Sequence, residues 1–322
     1  MSRFLKHALR SVVFLTVLAL LLTGVSQLLR PKNNSRDGGI HDPAANGILG
    51  EPEHTIDLLI LGDSESYSAF IPTQLWQQRG YTAYCCGTSG QTLYYSEEFL
   101  HKAFQTQSPK VVILETNAIF RGFSYGSALL SEAGKFFPVF TYHNRWKTLK
   151  TSDLTLTVDY NHIDSAKGYQ FTDGTAPADT SKYMQASDQH APIPRRNRAY
   201  VERIKAYCDE NGAQLLLVST PSTANWNMAR HNSTQALADR LGIPFLDLNM
   251  TPEQVGIDWS TDTRDLGDHL NYFGAKKVTA ALGDHLLSMG LLSSHKDDPA
   301  YADWNTEADA FDQTVAAALA KT

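Results

Sequence analysis

The chain has 322 residues, a formal net charge of −6, and hydrophobic residues at 42% of its positions. This length allows one large domain or two smaller ones with a substantial core. The acidic balance argues against a protein that binds nucleic acid through a basic surface. Only three cysteines are present, at Cys85, Cys86 and Cys208. We expect them to be buried thiols, because adjacent cysteines do not bridge without strain.

The N-terminus carries a candidate membrane anchor. Residues 11–29, "SVVFLTVLALLLTGVSQLL", contain no charge and follow Arg3, Lys6 and Arg10. At about 1.5 Å per residue this run just spans a bilayer core of roughly 30 Å. It ends without a small-x-small cleavage site, so we expect an uncleaved anchor rather than a signal peptide. The preceding basic residues place residues 1–10 in the cytoplasm and the rest of this single-pass chain outside.

Strand and helix patterns alternate after a linker predicted at residues 30–55, which is rich in Gly, Pro, Asn and Asp. Between residues 56 and 293 we predict strands at 56–62, 81–87, 110–116, 213–220 and 244–249, and helices at 72–80, 93–105, 197–211, 230–241 and 274–289. Apolar strands alternating with helices predict an α/β fold with three layers around a mostly parallel sheet.

Two stretches fall outside this alternation. Residues 118–195 are too long for an ordinary connection and predict a lid or a substrate-binding insertion. Residues 294–322 predict a C-terminal extension that ends in a peripheral helix.

Functional groups in parallel sheets collect beyond the carboxyl ends of the strands. Ser64 follows the first predicted strand, residues 87–90 follow the second, and Asn117 follows the third. This agreement predicts a site at that edge of the sheet.

Four motifs resemble those of the SGNH (GDSL-like) hydrolase family. They are "GDS" at 62–64, "GTSGQT" at 87–92, "ILETN" at 113–117 and "DLGDHLNYFGAKKVT" at 265–279. Their order and spacing are similar to those of the family over residues 56–290. The resemblance implies an SGNH/flavodoxin-like fold and ester chemistry.

The resemblance also implies roles for individual residues. Ser64 would be the nucleophile, and His269 the base that an unactivated hydroxyl requires. The oxyanion donors would be the backbone amides of Ser64 and Gly90 and the side-chain amide of Asn117. Residues 115–118 read Glu-Thr-Asn-Ala, where the family usually has Gly-x-Asn-Asp.

The acid that orients the histidine is not fixed by the motif. The family places an aspartate three residues before the histidine, but Leu266 stands there. Asp265 and Asp268 are the candidates, with Asp262 further away. We favour Asp265, because a neighbour of His269 in an extended loop would face away from it.

Other polar and aromatic residues are candidates for substrate binding. His143 and Arg145 lie in the insertion and would suit an anionic or sugar substrate, although an ordinary polar loop is the alternative. Trp226 and His231 follow the fourth strand and could lie near the site. The histidines lack metal-ligand spacing, so we expect no metal and no other cofactor.

An anchor followed by such a domain resembles membrane-tethered proteins that modify bacterial cell-surface polymers together with membrane-bound O-acyltransferases. We therefore expect acyl transfer to, or removal from, a cell-envelope glycan or another acylated polymer through an acyl-Ser64 intermediate. Two alternatives stay open: a free-standing extracellular esterase or lipase, and a non-catalytic glycan-binding or scaffold protein with the same fold.

Overall fold

A computed structural model of the protein describes residues 2–251 and 255–321. The chain divides into two compact units. The anchor unit combines Met1–Pro43 with Phe123–His162, and the sheet unit combines Ala44–Gly122 with Ile163–Thr322.

The sheet unit is built on a five-stranded parallel sheet in the order β2-β1-β3-β4-β5 within the described residues. Its strands are β1 (Leu58–Gly62), β2 (Ala83–Gly87), β3 (Val111–Glu115), β4 (Gln214–Ser219) and β5 (Phe245–Asp247). The register pairs Leu58 of β1 with Ala83 on one side and with Val111 on the other. The chain therefore starts at an inner strand and extends the sheet in both directions, which confirms the predicted α/β class.

Helices cover both faces of this sheet. They are α2 (Ser64–Ala69), α3 (Pro72–Arg79), α4 (Leu93–Ala103), α6 (Arg195–Glu210), α7 (Met228–Leu241), α8 (Tyr272–Met289) and α9 (Asp303–Leu319), with a single helical turn at Asn117–Phe120. On one face, Leu58 and Ile60 of β1 pack in a cluster with Val278 and Leu282 of α8. The strands are buried on both sides, as their continuous apolar sequence requires.

Residues 44–55 are packed structure rather than the predicted linker. Ala45 and Ile48 are buried. Glu51 accepts two hydrogen bonds of 2.8 Å from Nζ of Lys167, which is itself fully buried. A buried ammonium is retained only with a close counter-charge, so this pair fixes the segment to the sheet unit.

The C-terminal helix α9 is also integral to the sheet unit rather than peripheral. Trp304, Phe311 and Val315 on one side of it are buried. The ring of Trp304 lies 5.6 Å from that of Trp76, between centroids. The Ala-rich sequence conceals this packed face, because the buried residues are spaced three to four apart among short side chains.

The anchor unit contains α1 (Arg3–Leu29) and α5 (Tyr125–Phe136), with short turns that include the helical turn Val139–Tyr142. Helix α1 includes the predicted span and eight further residues before it, Arg3–Arg10. Residues 33–34 contact the end of the second stretch of this unit, where Asn34 Nδ2 donates to the carbonyl oxygen of His162 at 2.7 Å. This pairing makes the segment after α1 part of a folded unit.

Candidate active site

Ser64 lies at the carboxyl end of β1, as the first residue of α2. Asp63 caps this helix by accepting a hydrogen bond from the Glu65 amide at 3.1 Å. Gly62 is required just before it, because a Cβ at that position would lie 2.6 Å from the Cβ of Glu115. The strand therefore ends abruptly and delivers the Ser64 hydroxyl to the edge of the sheet.

His269 connects Ser64 to a carboxylate. Its Nε2 lies 2.7 Å from Ser64 Oγ, and its Nδ1 lies 2.7 Å from Asp265 Oδ2. The other oxygen of Asp265 accepts a hydrogen bond from the backbone amide of His269 at 2.6 Å. Asp265 thus fixes both the ring and the backbone of the histidine, which favours the tautomer with a proton on Nδ1 and a free Nε2.

A tight turn explains how Asp265 reaches the histidine from four residues away. Leu266 and Gly267 both have left-handed backbone angles, with φ of 63° and 91°. The Gly267 amide donates to Thr263 Oγ1, which in turn donates to the carbonyl oxygen of His269. The turn absorbs the residue by which this loop exceeds the family spacing.

Asp268 also lies near the ring, although not in hydrogen-bonding position. Its Oδ2 is 3.6 Å from His269 Nδ1, and its Oδ1 accepts a hydrogen bond from Asn225 Nδ2. The expectation that this side chain faces away assumed an extended loop, and the loop is instead a turn. The geometry nevertheless gives Asp265 the hydrogen bond, while Asp262 is occupied by Lys277 at 2.6 Å.

The glycine motif lies beside Ser64. The Tyr67 hydroxyl interacts with the side chains of both Ser64 and Ser89. Gly90 has a left-handed φ of 61°, and a Cβ there would lie 3.6 Å from a guanidinium nitrogen of Arg121. The same guanidinium donates to Asp63 at 2.8 Å. These contacts bring the second motif to the end of β1.

Asn117 is held at both ends of its side-chain amide. Its Nδ2 donates to Asp63 Oδ2 at 2.9 Å, and its Oδ1 accepts from Arg230 at 2.7 Å. The Asn117 backbone amide donates to Glu115 Oε2 at 3.0 Å. An amide nitrogen carries two hydrogens, so Nδ2 has a second donor besides the one that Asp63 accepts.

Three buried carboxyl groups lie near Ser64. Asp63, Glu65 and Glu115 are all buried. Burial raises the pKa of Glu65 and of Glu115 well above the usual range, and the neighbouring carboxyl groups raise it further. Burial therefore favours the protonated form of Glu65 and of Glu115.

Sequence reasoning missed several members of this arrangement, namely Glu65, Arg121, Asn225 and Arg230. Asn225 bridges Glu65 Oε1, at 2.7 Å, and Asp268. Of the residues after the fourth strand, the sequence predicted Trp226 and His231 near the site, whereas Asn225 and Arg230 make the contacts. For Glu65, the sequence signal was its position directly after Ser64 and the GDS motif.

The hydrogen bonds of Trp226 and His231 do not place these two predicted substrate-binding residues at this site. Trp226 is buried, and its Nε1 donates to Asp247 Oδ2 at 2.9 Å. His231 Nδ1 lies 2.7 Å from the same oxygen. Both therefore favour a structural role at the end of β5 over the predicted substrate contact.

The two candidates of the insertion belong to the anchor unit. Arg145 is buried there and donates to Asp153 Oδ1 at 2.8 Å and to the carbonyl oxygen of Leu29 at 2.7 Å. These bonds favour a structural role for Arg145. His143 is exposed, and its Nδ1 lies 3.3 Å from the carbonyl oxygen of Phe140.

In the part of the chain that the structure describes, one group of side chains lies close enough together to bind a metal ion. It consists of Glu65, Asp268 and His269, whose potential ligand atoms lie within 4.8 Å of one another. Both ring nitrogens of His269 face Ser64 and Asp265. Glu65 and Asp268 share the Asn225 amide. The donor set thus serves the serine–histidine arrangement.

Comparisons with known proteins give distant structural likenesses. No protein-family model and no curated protein sequence matches the chain. Similar solved structures include an esterase from Pseudoalteromonas sp. (10% identity, TM-score 0.38, covering 72% of this chain and 97% of that one). Another is a lipase/acylhydrolase from Enterococcus faecalis, with 10% identity and a TM-score of 0.39, covering 73% of this chain and 97% of that one. A third is a GDSL-like lipase from Bacteroides thetaiotaomicron, with 11% identity and a TM-score of 0.36, covering 79% of this chain and 95% of that one.

The strand order and the positions of the four motifs decide the type of fold. Ser64, Gly90 and Asn117 follow β1, β2 and β3, and His269 precedes α8. The chain has an α/β fold in which these motif positions resemble those of SGNH/GDSL-like hydrolases. The five-stranded parallel sheet of the sheet unit confirms the predicted α/β architecture.

Proposed function

We propose that the protein is a serine esterase or acyltransferase that works through an acyl-Ser64 intermediate. The observation that carries the proposal is the continuous chain from Ser64 Oγ through His269 to Asp265, with 2.7 Å at each step. An imidazole in that position removes the hydroxyl proton as the oxygen attacks an ester carbonyl.

In the first half-reaction, Ser64 Oγ bonds to the carbonyl carbon and its proton moves to His269 Nε2. The tetrahedral oxyanion is stabilised by the Ser64 and Gly90 amides and by the second hydrogen on Asn117 Nδ2. His269 then protonates the leaving alkoxide as the ester bond breaks. In the second half-reaction, water or an acceptor hydroxyl gives its proton to His269 as its oxygen bonds to the acyl carbon. The Ser64 Oγ–acyl bond then breaks, and His269 returns the proton to Ser64 Oγ.

Membrane attachment is supported by α1, which is long and apolar enough to cross a bilayer. Its 27 residues would extend about 40 Å. Ser26 and Leu29 at its end are buried within the anchor unit, so removal of α1 would expose the residues that cover them. The basic residues Arg3, Lys6 and Arg10 favour a cytoplasmic N-terminus and an extracytoplasmic enzyme.

The substrate we propose is an acyl ester of a cell-envelope glycan or of another acylated polymer, with a membrane-bound O-acyltransferase as partner. This part rests on the resemblance in architecture between an anchored chain of this fold and the proteins of cell-surface polymer modification. A free-standing esterase would hydrolyse soluble esters without such a partner. A scaffold protein would bind glycan and have no acyl-enzyme.

Labelling with a serine-reactive fluorophosphonate tests the covalent step. The full chain in detergent should be labelled, and Ser64→Ala should abolish the signal. Ser66→Ala changes a buried serine two residues away and is the matched control for local disturbance, so it should keep the label. Labelling that persists in Ser64→Ala would contradict the proposal, and absent labelling of a folded wild-type protein would favour the scaffold alternative.

Carbonate extraction and N-terminal sequencing test the anchor. The mature chain should remain in the membrane and retain residues 11–29. A soluble product that begins near residue 30 would show that the segment is a signal peptide.

A further inference from the structure

The anchor unit exposes a large number of apolar side chains outside α1. Seven of them in the segment 123–162 expose more than half of their surface: Tyr125 76%, Leu129 70%, Leu130 57%, Phe136 79%, Trp146 66%, Leu154 71% and Leu156 78%. Large apolar side chains gathered in one short segment mark an interaction surface rather than an ordinary exterior.

Helix α5 presents part of this surface as a stripe. With 3.6 residues per turn, Tyr125, Leu129 and Phe136 fall within an arc of about 40°. Glu132 lies about 20° outside this arc, and its carboxylate is paired with Lys135 at 2.8 Å. The apolar stripe of α5 therefore faces away from its own unit, which is the reverse of the usual helix in a soluble domain.

The segment is attached directly to the end of α1. The Val139 amide donates to Ser26 Oγ at 3.2 Å, and Arg145 donates to the carbonyl oxygen of Leu29 at 2.7 Å. Asp153 neutralises the buried guanidinium of Arg145. These bonds fix the segment beside the last turn of α1 within one unit.

The level of that last turn follows from the length of α1. If α1 crosses the hydrocarbon core of roughly 30 Å, its final residues emerge at the headgroup region. A segment bonded to Ser26 and Leu29 then lies at the same level. The exposed side chains of α1, from Phe4 to Val25, continue the apolar surface into the bilayer.

We propose that residues 123–162 lie in the headgroup region of the membrane, with the Tyr125, Leu129 and Phe136 stripe in contact with lipid. This inference rests on the membrane anchor of the proposed function and is independent of the ester chemistry. Tyr and Trp are the side chains that favour this level of a bilayer. Lys147, whose ammonium lies 5.8 Å from the centre of the Trp146 ring, and the exposed Lys150 suit anionic headgroups.

An environment-sensitive fluorophore on single added cysteines tests the contact in the full chain. Leu129→Cys and Phe136→Cys place the probe on the stripe. Ser127→Cys is the matched control, because Ser127 is exposed on the same helix about 200° around from Leu129. The native thiols Cys85, Cys86 and Cys208 are fully buried, so the unmutated chain serves as the labelling blank.

Each labelled protein is reconstituted at low density into phosphatidylcholine–phosphatidylglycerol vesicles with and without brominated acyl chains. We expect brominated lipid to quench most of the emission at positions 129 and 136 and little at 127, and aqueous iodide to do the opposite. Leu15→Cys reports α1 insertion, and hydrolysis of an aryl acetate by the same samples reports the ester chemistry.

Strong iodide quenching at 129 and 136, with Leu15→Cys quenched by brominated lipid, would overturn the proposal and leave the anchor intact. Probes at 129 and 136 that neither agent quenches would show a protein contact instead, such as a second copy, and would also overturn it. A Leu15 probe open to iodide would overturn the anchor and this inference together, whatever the esterase activity.

Discussion

The two sides of Ser64 are built in opposite ways. On one side, His269 and Asp265 lie in a single turn, and the Asp265 side chain is 39% exposed. On the other side, Asn117 and Asp63 are buried at the ends of β3 and β1. In the proposed function the first is the acid side and the second is the oxyanion side. The acid side depends on one loop, whereas the oxyanion side depends on several elements that meet inside the fold.

This difference shows where the site tolerates change in the chain. A loop can absorb an extra residue through two left-handed positions, as Leu266 and Gly267 do. A paired strand cannot, because one residue added within it would turn every following side chain of that strand to the other face. The departure from the family spacing accordingly falls in the loop.

The largest effect on turnover is expected from substitution of Ser64 or His269, which connect the two sides. Ser64→Ala and His269→Ala should each lower kcat by roughly 10⁴- to 10⁶-fold, because the pair acts as a unit. The double variant should be little worse than either single one in hydrolysis of an aryl acetate. Single variants that keep near-wild-type turnover would contradict the catalytic assignment.

The acid side can be broken by itself with Asp265→Asn. We expect a loss in turnover of about 10²- to 10⁴-fold, because the imidazole loses the partner that fixes its tautomer. Asp268→Asn is the matched control and should cost much less, since Asp268 makes no hydrogen bond to the ring. Thermal melts exclude unfolding, and the reverse order of losses would assign the acid to Asp268.

The oxyanion side can be broken with Asn117→Ala. Loss of one oxyanion donor typically lowers kcat by about 10²- to 10³-fold, with a smaller effect on KM. Asn197→Ala offers a comparison, because Asn197 is a buried asparagine whose Nδ2 donates to the carbonyl oxygens of Ile119 and Arg121. Equal losses in kcat at matched stability would show that Asn117 is only structural.

Arg230 should sharpen the comparison further. Arg230→Met removes the hydrogen bond to Asn117 Oδ1 and should lower kcat about tenfold, which corresponds to one lost hydrogen bond. Arg230→Lys should restore part of the activity. In an Asn117→Ala background the same change should have little further effect, and full additivity would show that Arg230 does not act through Asn117.

The smallest effect on turnover is expected at Glu65. Its folded-state pKa is raised by burial, so the folded form holds a proton that the unfolded form loses. The stability this group contributes is complete below the unfolded-state pKa of about 4.3. It then falls by up to about 1.4 kcal/mol per pH unit until the folded-state pKa is reached.

Glu65→Gln imitates the protonated side chain and should flatten this decline while leaving turnover at neutral pH nearly unchanged. Denaturant unfolding at several pH values between 5 and 8 would measure the slope of the free energy of unfolding against pH. The exposed Glu53, changed to Gln, is the control. Equal slopes for wild type and Glu65→Gln would show that Glu65 is ionised in the folded protein.

The sequence by itself determined the parallel sheet and the edge that carries the site. Runs such as "LLILG" at 58–62 and "VVILE" at 111–115 are buried on both faces, and their lengths leave no other arrangement than strands between helices. Ser64, Gly90, Asn117 and His269 were predicted from the resemblance of four short motifs to those of the SGNH family, and each lies at or near the end of a strand or the start of a helix. The preference for Asp265 agrees with the geometry, although the extended loop that motivated it is absent.

Only the tertiary structure decided which residues surround these four. Arg230 meets Asn117 across 113 positions of sequence, and Asn225 meets Glu65 across 160. No local sequence pattern predicts such contacts, because they depend on how the segments after β4 pack against those after β1 and β3. For the same reason the sequence did not show that Trp226 would be buried, that Arg145 would close on Leu29, or that the C-terminal helix would pack against Trp76. The sequence specifies elements through neighbours, whereas the pairing of distant side chains follows from packing of the whole unit.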